Sequence, residues 1–471
     1  MGNREKLSSR LGFILISAGC AIGLGNVWRF PHITGQYGGA AFVLVYLFFL
    51  VVLGLPVMTM EFAVGRASQA SAATSFKVLE PKGTKWHIFG YFAMIANYLL
   101  MMFYTVIAGW MLLYTVKMIK GEFTGLDAAG IGEIFGNMVS EPVTLTVWMV
   151  VAVLIGFAIC ALGLQNGVEK ITKVMMSSLF VILLILVVRS VTLPGAAEGL
   201  RFYLMPDFGK MMEHGFFDVV SAAMGQAFFT LSIGIGSMAI FGSYLGKDRS
   251  LMGESVNILV LDTFVAIVAG LIIFPACFTF DVEPAAGPSL LFEAMASVFN
   301  NMKGGRWWGS LFFLFMFFAA MTTVIAVMQN ILACVREITN WGRIKGCIIC
   351  GISMLVLSVP CALGFNLWSE FKPFGSTSSV LDLEDFLVTN CLLPVGALCY
   401  VLFCVTKKGW GFDNFLQEAN TGKGMKLKRW MRPYMTYVLP AVIVIIFITG
   451  ILNFQFDDNF TIIGWIKNGF K

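Results

Sequence analysis

The chain has 471 residues, of which 58% are hydrophobic and only 13% are charged. Soluble globular proteins carry roughly 25% charged residues and about 45–50% apolar ones, so this composition excludes an ordinary soluble domain. The net charge of +5 is better explained by basic residues that set membrane topology, and we expect no nucleic-acid partner. A polytopic protein of the lipid bilayer is predicted.

Eleven hydrophobic runs, separated by charged or glycine- and proline-rich breaks, follow one another along the chain. Each approaches the roughly 20 apolar residues that a helix needs to cross a bilayer. The runs lie at residues 11–34, 40–64, 87–116, 143–164, 168–191, 216–244, 256–280, 307–335, 344–363, 386–405 and 434–452. They predict an all-α protein with 11 transmembrane helices and a single transmembrane domain over residues 1–471.

Lysine and arginine residues concentrate at the N-terminus and in the loops that follow even-numbered runs. By the positive-inside rule, this pattern predicts a cytoplasmic N-terminus and an extracytoplasmic C-terminus, in a cell membrane. The amphipathic segment at residues 288–300 then falls outside the cell. We expect it to form an outer helical hairpin or lid.

Glycine pairs interrupt two of the runs at corresponding positions: Gly23 and Gly25 in the first, and Gly234 and Gly236 in the sixth. A helix broken inside the membrane leaves backbone groups that lipid cannot satisfy, so it is tolerated where it lines a cavity or binds a solute. Paired breaks in two halves of a chain indicate a transporter site. Close helix packing is the alternative explanation, but both pairs have polar neighbours, which favours a binding site.

The candidate polar ligands beside the two breaks and in the seventh and eighth runs are amides, hydroxyls and one isolated carboxylate. They are Asn26, Gln226, Thr230, Ser232, Asp262, Thr322 and Thr323. Oxygen donors of this kind suit a hard monovalent cation such as Na⁺, whereas thiols and imidazoles suit transition metals. A carboxylate facing lipid is costly, so Asp262 is expected to face the bundle interior or a cation, or to be protonated.

The first glycine pair lies in AGCAIGLGNVWRFPHITGQYGGAAF, residues 18–42, which closely resembles the first-helix signature of the neurotransmitter:sodium symporter family, particularly its bacterial amino-acid transporters. The segments GQAFFTLSIGIGSMAIFGSY, at 225–244, and FFAAMTTVIAVMQN, at 317–330, match the same family in order and spacing. The resemblance implies a five-plus-five inverted repeat with helices 1 and 6 broken. Repeat one would span about residues 8–191, repeat two about 216–406, and a peripheral helix 11 about 433–455.

Two sodium sites are implied by the same resemblance, with no organic cofactor. The first sodium set would comprise Ala21, Asn26, Thr230 and, in the seventh helix, Asp262. The second sodium set would comprise Gly19, Ile22, Ala319, Thr322 and Thr323. Whether Asp262 ligates sodium or stands in place of a bound chloride stays open. In either role its negative charge can replace chloride.

Family members that transport monoamines place an aspartate at the position of Gly23, so the resemblance implies a substrate that brings its own carboxylate. The amides of Leu24 and Gly25 would bind this carboxylate, next to the first sodium ion. The implied substrate pocket consists of Ala21, Gly23, Leu24, Gly25, Leu100, Tyr104, Phe229, Thr230, Ser232, Ile235, Thr323 and Val327. Because the pocket is mostly apolar, a neutral hydrophobic amino acid is expected, with aromatic ones included.

Gating residues follow from the resemblance as well. Tyr104 and Phe229 would form an aromatic lid, and the outer ion pair would be Arg29 with Asp385. The inner pair would be Arg4 with Glu337. Many relatives have a proline at the position of Ser177, where helix 5 unwinds, so the release of the inner sodium ion is not accounted for.

The resulting hypothesis is a carrier, not an enzyme, that imports its substrate with sodium by alternating access and without chloride. Two alternatives on the same fold stay open: an ion channel, and a receptor or sensor that binds an amino acid without transporting it. The sequence does not predict the particular amino acid, the sodium stoichiometry, proton antiport or the oligomeric state.

Overall fold

The computed structural model describes residues 5–282, 290–376, 378–452, 454–457 and 460–461. Across these residues the regular secondary structure is helical except for one antiparallel ribbon, in which Gln455–Asp457 pairs with Phe460–Thr461. Within the same ranges, nine continuous helices are long and apolar enough to cross a membrane, and one further crossing is a bent pair. The prediction of an all-α membrane fold is confirmed.

Every predicted hydrophobic run corresponds to helical structure, which we number as spans 1 to 11 in chain order. Their bounds are Arg10–Ala21 with Gly25–Gln36, Ala40–Ser68, Trp86–Lys120, Pro142–Ala161, Leu164–Val191, Phe216–Thr230 with Ser237–Ser243, Leu251–Thr279, Gly305–Thr339, Arg343–Leu363, Val380–Val405 and Arg429–Leu452. Spans 1 and 6 are the broken ones, as predicted. The two halves of span 6 are each too short to cross a membrane alone.

The breaks have different backbone geometries. In span 1 the helix axis bends by 53° between its two halves. In span 6 the connecting residues include three with positive φ: Ser232 at 49°, Gly234 at 101° and Gly236 at 77°. Glycine is required at Gly234, because a Cβ atom there would lie 2.2 Å from the Leu393 carbonyl oxygen of span 10.

Several short helices lie outside the hydrophobic runs. They are Ser75–Leu79, Ala128–Ser140, Ala196–Leu204, Phe208–Glu213, Met295–Asn301 and Phe412–Ala419. The predicted outer segment at 288–300 lies partly outside the described residues, and from residue 290 onward it is helical. Phe292 of this segment packs against Trp110, Tyr114 and Phe135, with ring centroids 4.9 to 5.6 Å apart.

Burial separates central spans from peripheral ones. Over the most apolar 18 residues of each span, the buried share is 83% in span 8 and 78% in span 3 but only 22% in span 11. Spans 3 and 8 therefore form the centre of the bundle beside the broken spans, and span 11 is the least buried of these spans. This arrangement places the broken backbone of spans 1 and 6 against two rigid helices.

Candidate functional site

The broken stretches of spans 1 and 6 contact each other in the buried interior. Ser232 Oγ donates a hydrogen bond of 3.2 Å to the Cys20 carbonyl oxygen. Gln226 Nε2 donates a 2.8 Å hydrogen bond to the carbonyl oxygen of Gly25. These side chains satisfy backbone carbonyls that a continuous helix would pair internally, so each break helps to stabilise the other.

Two members of the first sodium set, Asn26 and Thr230, converge on the carboxylate of a third, Asp262, which is fully buried. Asn26 Nδ2 donates to Asp262 Oδ1 at 2.8 Å, and Thr230 Oγ1 lies 3.2 Å from Oδ2. Among the described residues, Asp262 makes no ion pair with a lysine, arginine or histidine. A buried carboxylate with this environment requires a cation or a proton to balance its charge.

The second sodium set also comes together. Thr323 Oγ1 of span 8 lies 3.2 to 3.5 Å from the carbonyl oxygens of Gly19, Cys20 and Ile22, at the end of the first half of span 1. Thr322 Oγ1 donates to the Ala319 carbonyl oxygen at 3.0 Å, within its own helix. Carbonyl and hydroxyl oxygens therefore converge at this point, and a hard cation prefers such ligands.

A small cavity lies between the two breaks and span 3. Six predicted pocket residues line it, together with Leu393: Ala21, Gly25, Leu100, Tyr104, Phe229 and Ser232. It encloses only about 10 Å³, roughly the space of one water molecule. Ile235 and Val327 are fully buried beside it without being among its lining residues in the described part of the chain. The structure thus represents a closed form of the site.

Tyr104 contacts the broken part of span 1 directly. Its hydroxyl accepts a 2.8 Å hydrogen bond from the backbone N–H of Leu24. A Cβ atom at Gly23 would lie 2.1 Å from this hydroxyl oxygen and 2.5 Å from Thr323 Oγ1. Gly23 is therefore required by close packing of spans 3 and 8 against the break.

Sequence reasoning missed three residues that shape the site. Glu61 of span 2 is fully buried and accepts a hydrogen bond from the Gly234 N–H in the break of span 6. Asn97 Nδ2 donates to the Ile235 carbonyl oxygen at 2.8 Å. Leu393 lines the cavity. Glu61 and Asn97 are polar residues inside hydrophobic runs, the same signal that identified Asp262, whereas Leu393 carries no signal of its own.

The outer gate differs in detail from the predicted ion pair. Thr389 lies between its two members: Arg29 Nη1 donates to Thr389 Oγ1 at 3.2 Å, and Thr389 Oγ1 donates to Asp385 Oδ1 at 2.9 Å. The guanidinium of Arg29 also lies 4.5 Å from the ring centroid of Phe229. The aromatic lid and the charged pair therefore form one continuous layer above the cavity.

On the opposite side, Arg4 lies outside the described residues, so the predicted inner pair is not described. Glu337 accepts hydrogen bonds from the backbone N–H and the hydroxyl of Ser71 and from Thr74 Oγ1. Glu5 forms ion pairs with Arg336 and Arg343 at 3.3 and 2.5 Å. Charged contacts thus connect the N-terminal segment to the end of span 8 and the start of span 9.

The inner end of span 5 also bears on sodium release. The span is helical throughout Leu164–Val191, and Ser177 is exposed on the outside of the bundle. Thr172 of this span packs on Gly19, and its buried hydroxyl has no hydrogen-bond partner within the described ranges. The structure therefore gives Ser177 no contact with the second sodium set.

Two broken helices, an interior oxygen cluster and layers of contacts on both sides define a secondary transporter embedded in a membrane. Family comparison agrees, since the model of the sodium:neurotransmitter symporter family matches residues 4–127 and 131–466. The chain belongs to this family, whose members are sodium-dependent secondary transporters and not enzymes.

Individual relatives cover almost the whole chain. An uncharacterized sodium-dependent transporter, YhdH of Bacillus subtilis, is 35% identical over 451 residues, covering 95% of this chain and 98% of its own. Another from Haemophilus influenzae is 33% identical over 462 residues, covering 95% and 98%. The crystal structure of MhsT in complex with L-phenylalanine matches with a TM-score of 0.85 and 35% identity, covering 95% of this chain and all of that one.

Proposed function

We propose that this protein imports neutral hydrophobic amino acids, including aromatic ones, together with sodium ions. The observation that carries the proposal is the buried carboxylate of Asp262, which meets Asn26 and Thr230 beside a small apolar cavity. Sodium balances the carboxylate charge, and the cavity receives the substrate side chain. In this proposal residues 1–471 form one transporter domain in the plasma membrane, with the N-terminus in the cytoplasm and the two predicted repeats intact.

Sodium is co-transported in this proposal and occupies the two oxygen sets. The first sodium set supplies the Asn26 amide, the Thr230 hydroxyl, the Asp262 carboxylate and the carbonyl of Ala21. The second sodium set supplies the hydroxyls of Thr322 and Thr323 with carbonyl oxygens of the broken span 1. Because Thr323 contacts span 1, a sodium ion there would hold the first half of span 1 against span 8 and keep the cytoplasmic side closed.

Substrate class rests on the apolar lining and on the position of Gly23. An amino-acid carboxylate would compete with the Tyr104 hydroxyl for the Leu24 N–H, which binds Tyr104 at 2.8 Å in the closed form. Leu100, Phe229 and Leu393 offer no polar partner to a charged side chain. The L-phenylalanine bound to MhsT, a 35% identical structure, supports the same class.

Chloride independence follows in this proposal from the fixed charge of Asp262. A second anion beside this buried carboxylate would be repelled, since like charges close together in an interior disfavour each other. We expect wild-type uptake to be equal in sodium chloride and sodium gluconate. We expect Asp262→Ser to lose uptake in gluconate, and undiminished uptake by this variant without chloride would contradict the proposal.

The decisive experiment is uptake of radiolabelled amino acids into proteoliposomes that contain the purified protein. Phenylalanine, tryptophan and leucine should accumulate when a sodium gradient is imposed and not when potassium replaces sodium. Lysine and glutamate should not compete. Sodium-stimulated binding without accumulation would identify a receptor, and ionic currents far above carrier rates would identify a channel; either result would overturn the proposal.

A further inference from the structure

Asn97 and Asn330 form a buried pair of amides, and Asn97 lies about one helical turn from Leu100, which lines the cavity. Asn330 Nδ2 donates to Asn97 Oδ1 at 3.0 Å, and Asn97 Nδ2 donates to the Ile235 carbonyl oxygen at 2.8 Å. Neither asparagine is more than 1% exposed. Side chains of two central spans therefore hold one peptide group of the broken stretch of span 6.

The sequence positions of both asparagines connect them to the pocket. On span 3, Asn97 precedes Leu100 and Tyr104 by three and seven residues, so all three share one helix face. Both Leu100 and Tyr104 line the cavity. Asn97 therefore extends the pocket face of span 3 by one helical turn, away from the end at which Tyr104 binds Leu24.

Span 8 shows the same arrangement in the opposite chain direction. Thr323, Val327 and Asn330 are spaced by four and three residues and also share one face. Tyr104 and Thr323 meet at Gly23, while Asn97 and Asn330 meet two turns further along. The two spans thus approach each other at both ends of the pocket, and the amide pair closes its far end.

We propose that the Asn97–Asn330 pair fixes the depth of the substrate pocket by anchoring the Ile235 carbonyl, and that it thereby selects substrates by side-chain size. The inference deepens the proposed function and rests on it. Gly234 and Gly236, with positive φ on either side, allow the Ile235 backbone to shift when the anchor is lost, while Glu61 still holds the Gly234 N–H. Small substrates then lose contact with the pocket floor, whereas large ones gain room.

The test compares Asn97→Ala and Asn330→Ala with a matched control, Thr105→Val. Thr105 is a buried polar residue two turns along span 3, and its hydroxyl bonds Ser358 of span 9 at 3.1 Å and the Met101 carbonyl oxygen of its own helix at 2.9 Å. Competition by alanine, leucine and tryptophan is measured against labelled phenylalanine. We expect Asn97→Ala to weaken competition by alanine and leucine at least about fivefold, while competition by tryptophan changes less than about twofold. Loss of one buried hydrogen bond is large enough for an effect of this size.

Asn330→Ala keeps the hydrogen bond from Asn97 to Ile235 and removes only the hydrogen bond that supports Asn97. We therefore expect competition by alanine and leucine to weaken in this variant too, but by a smaller factor than in Asn97→Ala. Hydrogen exchange of the amides at residues 231–236 gives a readout that does not depend on the substrate. It should rise in both variants and stay at the wild-type level in Thr105→Val. If Asn97→Ala does not fold, the hydrogen-exchange measurement on Asn330→Ala still tests the inference.

Equal weakening of all three competitors by Asn97→Ala, or unchanged exchange at 231–236 in the asparagine variants, would overturn the inference. Failure of wild-type protein to take up any amino acid would instead refute the proposed function. In that case the exchange experiment would still decide whether the amide pair anchors the break.

Discussion

Asp262 and Gly23 are the two single residues on which the proposed site depends most directly. The carboxylate of Asp262 provides a full negative charge in the bundle interior, and Gly23 leaves the space that Tyr104 and Thr323 occupy. One residue acts through its charge and the other through its lack of a side chain. Substitutions at these two positions are therefore expected to have different effects, one on sodium dependence and the other on packing.

Asp262→Asn should weaken sodium coupling while preserving the shape of the site. Asparagine is nearly isosteric but removes the charge that attracts a cation, and charge-assisted contacts are roughly twice as strong as neutral ones. We expect the sodium concentration for half-maximal uptake to rise at least about tenfold, equivalent to about 1.4 kcal/mol. Asp281→Asn, an exposed position outside the spans, is the control. An unchanged sodium dependence would contradict the assigned role.

Gly23→Ala should abolish or strongly reduce uptake by steric overlap. The added Cβ would lie 2.1 Å from the Tyr104 hydroxyl oxygen, closer than any non-bonded contact allows. Gly225→Ala is a matched control on span 6, because a Cβ there meets no atom within 4 Å. We expect uptake to fall at least about tenfold in the first variant and to stay near wild type in the second. Similar uptake by both would disprove the close packing.

The residues that sequence reasoning found and missed differ in one physical respect. Asn26, Thr230 and Asp262 could be predicted to meet because Asn26 and Thr230 lie beside the two breaks and all three match the first sodium site that the family resemblance implies. Asn97 lies in an unbroken span, and its partners depend on how spans 3, 6 and 8 pack. Hydropathy reports which segments enter the membrane but carries little information on the rotation of each helix about its axis.

At the scale of the helices, the start of span 1 is tied to span 5 through one carboxylate. Glu169 Oε2 accepts from the backbone N–H of Ser8 at 2.7 Å, and Oε1 accepts from the hydroxyls of Ser8 and Ser9 and from Lys173. A Cβ at Gly12 would overlap this carboxylate at 2.0 Å. The first half of span 1 is thus held at its N-terminal end as well as at its break.

Glu169→Gln should loosen this end of span 1. The amide retains the size of the side chain but loses the ion pair with Lys173 and half of its acceptor capacity. We expect hydrogen exchange across residues 8–13 to become faster, and the inward-open form to become more populated in sodium-free buffer. Glu141→Gln, whose carboxylate bonds only Thr144 within the described chain, is the control. Equal exchange in both variants would rule out a tether at Glu169.

Spans could be located from the sequence far better than the connecting helices. Long apolar runs identify the spans because lipid requires them, and their predicted ends lie within a few residues of the observed ones. Ala128–Ser140 and Phe412–Ala419 lie outside the runs, and their apolar faces pack onto neighbours that hydropathy does not reveal. Their existence depends on tertiary packing rather than on membrane insertion.

Across the whole molecule, Arg66 connects segments that are far apart in the chain. Its guanidinium is fully buried, with Nε 2.6 Å from Glu418 Oε1 and Nη1 2.6 Å from the Arg249 carbonyl oxygen. One cation thereby joins the end of span 2, the loop after span 6 and the helix Phe412–Ala419. The surface around the ends of these spans is held together by a single buried ion pair with additional carbonyl contacts.

Arg66→Met should lower the free energy of unfolding by about 3 kcal/mol, because removal of the buried cation leaves Glu418, within the described chain, with only the longer, more exposed contact to Lys247 at 3.6 Å. Arg429→Gln is the matched control, since its pair with Asp413 is largely exposed and should contribute less than about 1 kcal/mol. Chemical unfolding in detergent measures both. A similar loss of stability in the two variants would show that Arg66 does not have this stabilising role.

Asp262 also affects the electrical behaviour of the proposed transport cycle. Asp262 has no basic partner in the described part of the chain, so when its carboxylate is ionised the empty site carries a negative charge inside the membrane, and bound sodium cancels it. Each elementary charge moved across 100 mV changes the free energy by about 2.3 kcal/mol. Membrane voltage would then act on the return of the empty carrier as well as on the movement of the carrier with sodium and substrate bound. Turnover is therefore expected to increase with inside-negative potential at saturating sodium and substrate, wherever a voltage-sensitive step limits the rate.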